Sequence, residues 1–203
     1  MSRGLFLVFE GIDASGKSSQ ARRIAELRDA HFTFEPGDTP LGVELRRWVL
    51  DASTPMTPVT EALLMLSDRS HHVRTVIEPM LAQGRSVVSD RYYASTLAYQ
   101  GYGRGVDLDE LRAATDLAIG SCLPELTVLI DIPLDIANER GTWDDRDRFE
   151  SADLAFHQRV RDGYLAMAAA DPDHWFVVDG TLDFDGVAAV VDERVAALPW
   201  ANA

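Results

Sequence analysis

The chain has 203 residues, 46 % of them hydrophobic, and a formal net charge of −14. That length suits a single domain spanning 1–203 with a substantial core. The acidic balance argues against nucleic acid or anionic membrane as partners, and no apolar run reaches the roughly 20 residues that a membrane helix needs. Cys122 is the only cysteine, so no internal disulfide can form, and Met1 to Gly4 run directly into an apolar stretch, leaving no room for a secretory leader. A cytoplasmic location is expected.

Apolar, β-branched residues at 5–9 predict the first strand, and a phosphate-binding spacing follows it at once: Gly11-Ile12-Asp13-Ala14-Ser15-Gly16-Lys17-Ser18, or G-x-x-x-x-G-K-S. Gly11 and Gly16 allow a tight backbone that comes close to a ligand. The N–H groups of such a loop face inward at a helix N-terminus and attract anions. Lys17 adds a mobile charge for the β- and γ-phosphates, and the Ser18 hydroxyl is placed to ligate Mg²⁺. Lys17 is the only lysine, so every other permanently charged cation is an arginine, which suits bidentate phosphate contacts.

Beyond the loop a helix is predicted at 18–28 and a weaker strand at 32–34. Helices follow at 43–50 and 57–83, then a strand at 86–89, a helix at 109–118 and a strand at 126–132. A helix at 152–170, a strand at 175–178 and a helix at 184–197 complete the chain, with a loose tail at 199–203. The strands are continuous apolar runs, as in a parallel sheet buried on both faces, and their alternation with helices predicts an α/β doubly wound fold. Ligands of such sheets bind at the carboxyl ends of the strands. Polar residues gather there: the P-loop after the first strand, Glu35-Pro36-Gly37 after the second, Asp90-Arg91 after the third and Asp131 at the fourth.

Asp90 suits the water shell of a metal, and Arg91 could clamp a transferring phosphoryl group. Leu64, Met65, Asp68, Arg69 and His72 share one face of the long helix, and a buried stripe carrying an arginine suggests a pocket wall. His71 and His72 are expected to be exposed helix residues, and no cluster has structural-zinc spacing. The arginine-rich segment about 139–150, with Arg140, Arg146 and Arg148, has the composition of a lid that closes over phosphates and excludes water.

Five stretches taken together resemble the thymidylate kinases over nearly the whole chain. They are Phe9-Glu10-Gly11-Ile12-Asp13-Ala14-Ser15-Gly16-Lys17-Ser18, Glu35-Pro36-Gly37-Asp38-Thr39-Pro40-Leu41-Gly42, Asp90-Arg91-Tyr92, Ser95-Thr96-Leu97-Ala98-Tyr99-Gln100-Gly101 and Asp147-Arg148-Phe149-Glu150. The resemblance implies a P-loop kinase fold with five central parallel strands, Mg²⁺-assisted transfer of phosphoryl from ATP to dTMP, and a homodimer. It also implies ATP binding by residues 11–18, Ser19 and Arg148, with Asp13 near the acceptor sugar. Glu35, Arg46, Met65, Arg69 and Arg91 would line the dTMP site. Thr96 and Gln100 would read the thymine edge, and Tyr99 would pack under the deoxyribose. Metal contacts fall to Ser18 and Asp90. Catalytic roles fall to Lys17, Asp13, Arg91 and a lid arginine, because the loop stretch Asp13-Ala14-Ser15 has no basic residue of its own; Arg140 and Arg146 are the best candidates, with Arg148 close behind.

Three departures stand out. Phe34 occupies a position where the family has arginine, Met65 replaces a stacking aromatic, and 25–33 is short. They predict weaker or less selective dTMP binding. They also keep open a kinase for another nucleotide or nucleoside, whereas a binding module without turnover would leave Lys17, Ser18, Asp90 and Arg91 unexplained.

Overall fold

The computed structural model describes residues 3–141, 148–149 and 152–200. Five strands form one all-parallel sheet: β1 (Phe6–Glu10), β2 (His31–Phe34), β3 (Val87–Asp90), β4 (Leu126–Asp131) and β5 (Trp175–Asp179), in the order β2-β3-β1-β4-β5. The long helices are α1 (Lys17–Leu27), α2 (Pro40–Leu50), α3 (Pro58–His72), continued by a π-helical turn at Val73–Ile77 into α4 (Glu78–Ala82), α6 (Leu108–Ile119), α8 (Leu154–Ala170) and α9 (Phe184–Ala196). Two short helices complete the set: α5 (Tyr93–Thr96), prolonged by a π-helical segment at Leu97–Gly103, and α7 (Leu134–Arg140).

All five predicted strands are present, and the two faces of β1 explain why its sequence does not alternate. Leu7 and Phe9 pack with Ala21 and Ile24 of α1 and Val191 of α9. Phe6 and Val8 pack on the opposite face with Leu66 of α3 and Leu111 of α6. Each such side chain contributes about 1.5–3 kcal/mol on burial. Cys122 is buried in the second of these layers.

Helix starts follow simple capping chemistry. The side chains of Thr39, Thr57, Asp107, Asp153 and Asp183 accept backbone N–H groups at the starts of α2, α3, α6, α8 and α9. Among the described helices of this length, only α1 begins without a side-chain cap, because its N-cap is Gly16. Its first-turn N–H groups are left for an external anion.

Several expectations need correction. The predicted helix at 57–83 is helical throughout but widens at Val73–Ile77. Pro79 lacks an N–H and its ring crowds the carbonyl four residues back, at Thr75, inside the widened turn. Residues 93–103 and 134–140 are helical although no helix was expected there. Residues 94–101 are entirely buried, so they have no polar face to betray a helical period. The expected lid at about 139–150 starts inside α7, since Glu139 and Arg140 are helical; Arg146 and the rest of 142–147 lie outside the described residues. His72 is buried, contrary to the expectation of exposure.

Strand register assembles the site. Phe9 of β1 and Phe34 of β2 both stand opposite Asp90 of β3. One or two residues further on, the three strands therefore release Gly11, Glu35 and Arg91 side by side at one edge of the sheet.

Candidate active site

The P-loop turns sharply at Gly11 (φ 147°), Ala14 (φ 63°) and Gly16 (φ 88°). A Cβ on Gly11 would stand 2.6 Å from the Ile130 carbonyl, so the loop's packing against β4 requires glycine. Gly16 has no neighbour in the way of a Cβ, and there the positive φ is the reason for glycine. Lys17 is buried beneath the loop, with Nζ 3.4 Å from both the Ile12 carbonyl and Asp13 Oδ1. Burial and then the nearby Arg91 charge lower its pKa. Ser18 and Ser19 are exposed on the first turn of α1.

Arg91 is the hub beside the loop. Its backbone is left-handed (φ 71°), and its carbonyl accepts a 2.7 Å hydrogen bond from Ser89 Oγ. The guanidinium donates to Asp13 Oδ1 (2.5 Å), the Gly11 carbonyl (3.2 Å), Ser95 Oγ (3.1 Å), Tyr164 Oη (3.2 Å) and Tyr99 Oη (3.2 Å). Tyr99 in turn donates to Asp13 Oδ2 at 3.1 Å. Burial pushes the Asp13 carboxyl upward, but Arg91 and Lys17 outweigh it and hold the group well below the usual carboxylate range.

Behind this hub lies Glu10, fully buried. Its Oε1 accepts the N–H groups of Tyr92 (2.9 Å) and Ser95 (3.1 Å), and its Oε2 accepts the hydroxyls of Ser95 (2.7 Å) and Tyr164 (2.9 Å). Burial raises its pKa in spite of Arg91 and these bonds. Glu10 thus anchors the start of α5 and steers two of the hydroxyls that hold Arg91. Sequence reasoning missed all three partners. Glu10 adjoins the P-loop, which was a usable signal, whereas Ser95 and Tyr164 join it from 85 and 154 residues away.

A cleft open to solvent extends from Asp13 and Arg91 toward Glu35, Arg46, Met65 and Tyr99. Phe149 closes it, edge-on to Tyr99 at 5.4 Å between ring centroids. Arg46 donates to the Pro36 carbonyl at 2.8 Å and lies 6.0 Å from the ring of Phe34. The residue that replaces a charge here therefore supports another one.

Arg69 is 2 % exposed and does not line the cleft itself but is bonded to Glu35, which does. Its Nε donates to Glu35 Oε2 (2.7 Å), Nη1 to Thr96 Oγ1 (2.6 Å) and Nη2 to the Tyr92 carbonyl (2.9 Å). Glu35 Oε1 is 2.8 Å from His72 Nδ1, and His72 Nε2 is 2.6 Å from Thr33 Oγ1. Thr33 gives its one hydroxyl hydrogen to Asp38, so it must accept from Nε2. With Glu35 also accepting, both ring nitrogens are set to donate, which favours the charged ring. Burial opposes that charge, but the bond to Glu35 and its carboxylate raise the pKa. His72 was misjudged although it stands one turn beyond Asp68 on the face already marked by Met65 and Arg69.

Asp68 completes this cluster with a buried, unpartnered Oδ1. Burial, then the Glu35 charge, pushes its pKa to about 6. A carboxyl raised above its unfolded value stabilises the fold while protonated and loses that contribution between the unfolded pKa and about 6. Wild-type protein is therefore expected to lose about 1–2 kcal/mol relative to Asp68→Asn between pH 5 and pH 8, read from thermal unfolding at the two pH values. Parallel pH dependence of the two proteins would remove Asp68 as the source.

The remaining expected site residues are distributed as follows. Thr96 and Gln100 are fully buried on the α5 segment, facing α3. Asp90 has a buried, unpartnered Oδ1 at the end of β3, and its charge acts on Lys17. Arg140 donates to the Gly180 carbonyl (2.7 Å) and more distantly to that of Thr181. Arg148 donates to carbonyls at the end of α2, those of Val49 (2.9 Å), Asp51 (2.6 Å) and Thr54. These bonds tie the residue before Phe149 to the end of α2.

Comparison with known proteins shows the family and the fold. The model of the family described as thymidylate kinase matches residues 9–190. A thymidylate kinase of Desulforudis audaxviator is 44 % identical over 202 residues, covering 96 % of this chain and 91 % of the relative. One from Cereibacter sphaeroides is 46 % identical over 192 residues, covering 89 % and 88 %. The crystal structure of thymidylate kinase from Ehrlichia chaffeensis superimposes with a TM-score of 0.77 at 30 % identity, covering 94 % of this chain and 98 % of that one.

Proposed function

Since the chain belongs to the thymidylate kinase family and phosphorylates dTMP with ATP, we propose that the two nucleotides meet across Asp13 and Arg91, with ATP on the P-loop and dTMP in the adjoining cleft. The observation that carries this assignment is the double membership of those two side chains. They touch the P-loop at Gly11 and Lys17 and also line the cleft.

In this reading the loop N–H groups, the uncapped N-terminus of α1 and Lys17 hold the donor phosphates. Arg91 and Arg46 offset the repulsion between two anions that must approach in line. The acceptor phosphate is largely dianionic near neutral pH, so its oxygen attacks without a general base. Asp13 faces the acceptor sugar, Tyr99 packs beneath it, and Met65 covers the base with Arg69, Thr96 and Gln100 at its edge. Met65 has a less defined stacking surface than an aromatic ring, which favours looser selection of the base. Arg140 or Arg146 supplies charge to the transferring group from the lid, which spans about 139–150 of a single domain.

The all-oxygen donor set of Ser18 and the unpartnered Asp90 Oδ1 suits Mg²⁺, which takes waters and phosphate oxygens as its other ligands. Bound there, the ion would neutralise charge on the phosphates. Among the described residues no helix is long and apolar enough to cross a membrane, and the enzyme works in the cytoplasm. A second copy covers the face where Leu63 of α3 and Leu117 of α6 stand 55 % and 80 % exposed, giving a homodimer.

The test is ADP release with dTMP, dUMP, dCMP, dGMP and thymidine as acceptors. dTMP is expected to be preferred, and Lys17→Met to lower kcat/KM by about 10²–10³-fold. A Lys17→Met enzyme within a few-fold of wild type would break the P-loop assignment. If both Arg140→Ala and Arg146→Ala keep wild-type kcat in the same assay, the lid has no chemical part.

A further inference from the structure

Two rungs connect α3 to the segment that carries the expected base readers. On one, Arg69 donates to Thr96. On the other, one turn of α3 beyond Met65 in the opposite direction, Gln100 Nε2 donates to Glu61 Oε1 at 2.9 Å. Met65 lies between the rungs and lines the cleft. Glu61 and Gln100 are both buried, at 2 % and 0 % exposure. Arg104 Nε, 3.4 Å away, faces the same Glu61 oxygen. Gln100 Oε1 is buried and meets no donor among the described residues.

A carboxylate only accepts hydrogen bonds, so the Gln100 amide has one admissible orientation. Turning it over would set Oε1 against the Glu61 carboxylate, acceptor against acceptor. The free end is then always the carbonyl oxygen. We infer that Glu61 is a specificity-positioning residue: by holding the Gln100 amide group it makes the base subsite present a hydrogen-bond acceptor, and so selects a pyrimidine that carries N3–H. Thymine and uracil carry that donor. Cytosine in the same pose turns an N3 lone pair toward the oxygen, leaving two acceptors face to face and a buried polar group unsatisfied. This rests on the reading that Gln100 faces the acceptor base, and it assigns the direction of that hydrogen bond to a residue outside the cleft.

The comparison that isolates the effect is dUMP against dCMP, which differ only at ring positions 3 and 4. In Glu61→Gln the partner can either donate or accept, so the Gln100 amide can turn. The ratio of kcat/KM for dUMP over dCMP is expected to fall about tenfold or more, with the KM for ATP and the Tm held near wild type. The exchange variant Glu61→Gln with Gln100→Glu places the acceptor-only group on the base side and is expected to restore the ratio, which a merely structural role of Glu61 would not do.

An unchanged ratio in Glu61→Gln overturns the inference. If Gln100→Leu then collapses the ratio, Gln100 still reads the base and only the role of Glu61 is lost. If Gln100→Leu leaves the ratio unchanged too, the reading of Gln100 itself fails. Should Glu61→Gln not fold, the exchange variant decides: a wild-type ratio supports the inference and a collapsed one overturns it.

Discussion

Arg91→Ala is expected to lower kcat for dTMP phosphorylation by about 10³-fold or more, the scale of losing an arginine that stabilises a transferring phosphoryl group. The size follows from how many roles meet in one guanidinium. It donates to Asp13, to the P-loop carbonyl of Gly11 and to Ser95, Tyr99 and Tyr164. On the proposed placement of the two nucleotides, its removal takes a positive charge from between their phosphates and leaves the low-pKa Asp13 with Lys17 as its remaining cation. Arg91→Lys keeps the charge but not the planar fork, and one ammonium cannot reach five acceptors, so it should recover only a small part of the loss. Steady-state ADP release at saturating ATP and dTMP measures both variants. A kcat for Arg91→Ala within tenfold of wild type would show that the arginine is structural.

Arg69→Met should cost about 3–5 kcal/mol of stability, the usual penalty for breaking a buried ion pair from one side. For a chain of this size that is a fall in Tm of roughly 10 °C. Glu35, 3 % exposed, would keep only His72 as its partner on that side. In the wild-type protein burial pushes the Glu35 carboxyl up, but Arg69 and His72 outweigh it and lower the pKa. Its contribution is therefore present above the unfolded pKa and is lost as the pH falls through the folded one. Without Arg69 the burial effect prevails, the shift reverses, and the deficit of the variant should narrow on acidification. Adding Glu35→Gln to Arg69→Met should recover part of the lost stability, because no uncompensated charge then remains. A loss below about 1 kcal/mol, read from denaturant unfolding at neutral pH, would contradict the buried-pair account.

How far the sequence could be read depended on how local each feature is. The P-loop was legible because contiguous residues carry it: two glycines, a lysine and a serine at fixed spacing between a strand and a helix. The starts of α3, α6, α8 and α9 fall within two residues of expectation, whereas α2, expected from 43, begins at Pro40 behind its Thr39 cap. The helical segment at 93–103 was not legible, because it is buried on every side and shows no periodic polar face. His72 was misread because surroundings, not neighbours in sequence, decide whether a helical histidine is exposed. Met65, Asp68 and Arg69 pointed to the right face, but only Thr33 of β2 and Glu35 just after it could supply the partners of the buried ring.

By itself the sequence determined the backbone chemistry of the phosphate site, the all-parallel α/β class, and the reaction to which its motifs belong. The first two follow from constraints that act over a few residues, such as steric limits on φ and a missing side chain, whereas the reaction came from the resemblance of five stretches to a known family. Tertiary structure alone decided which buried charges hold each other. Glu10 finds Tyr164, Glu35 finds Arg69 and His72, and Glu61 finds Gln100 and Arg104. A buried charge without a partner costs several kcal/mol. Each therefore needs a partner, and only the folding of distant segments against one another determines which residue that is.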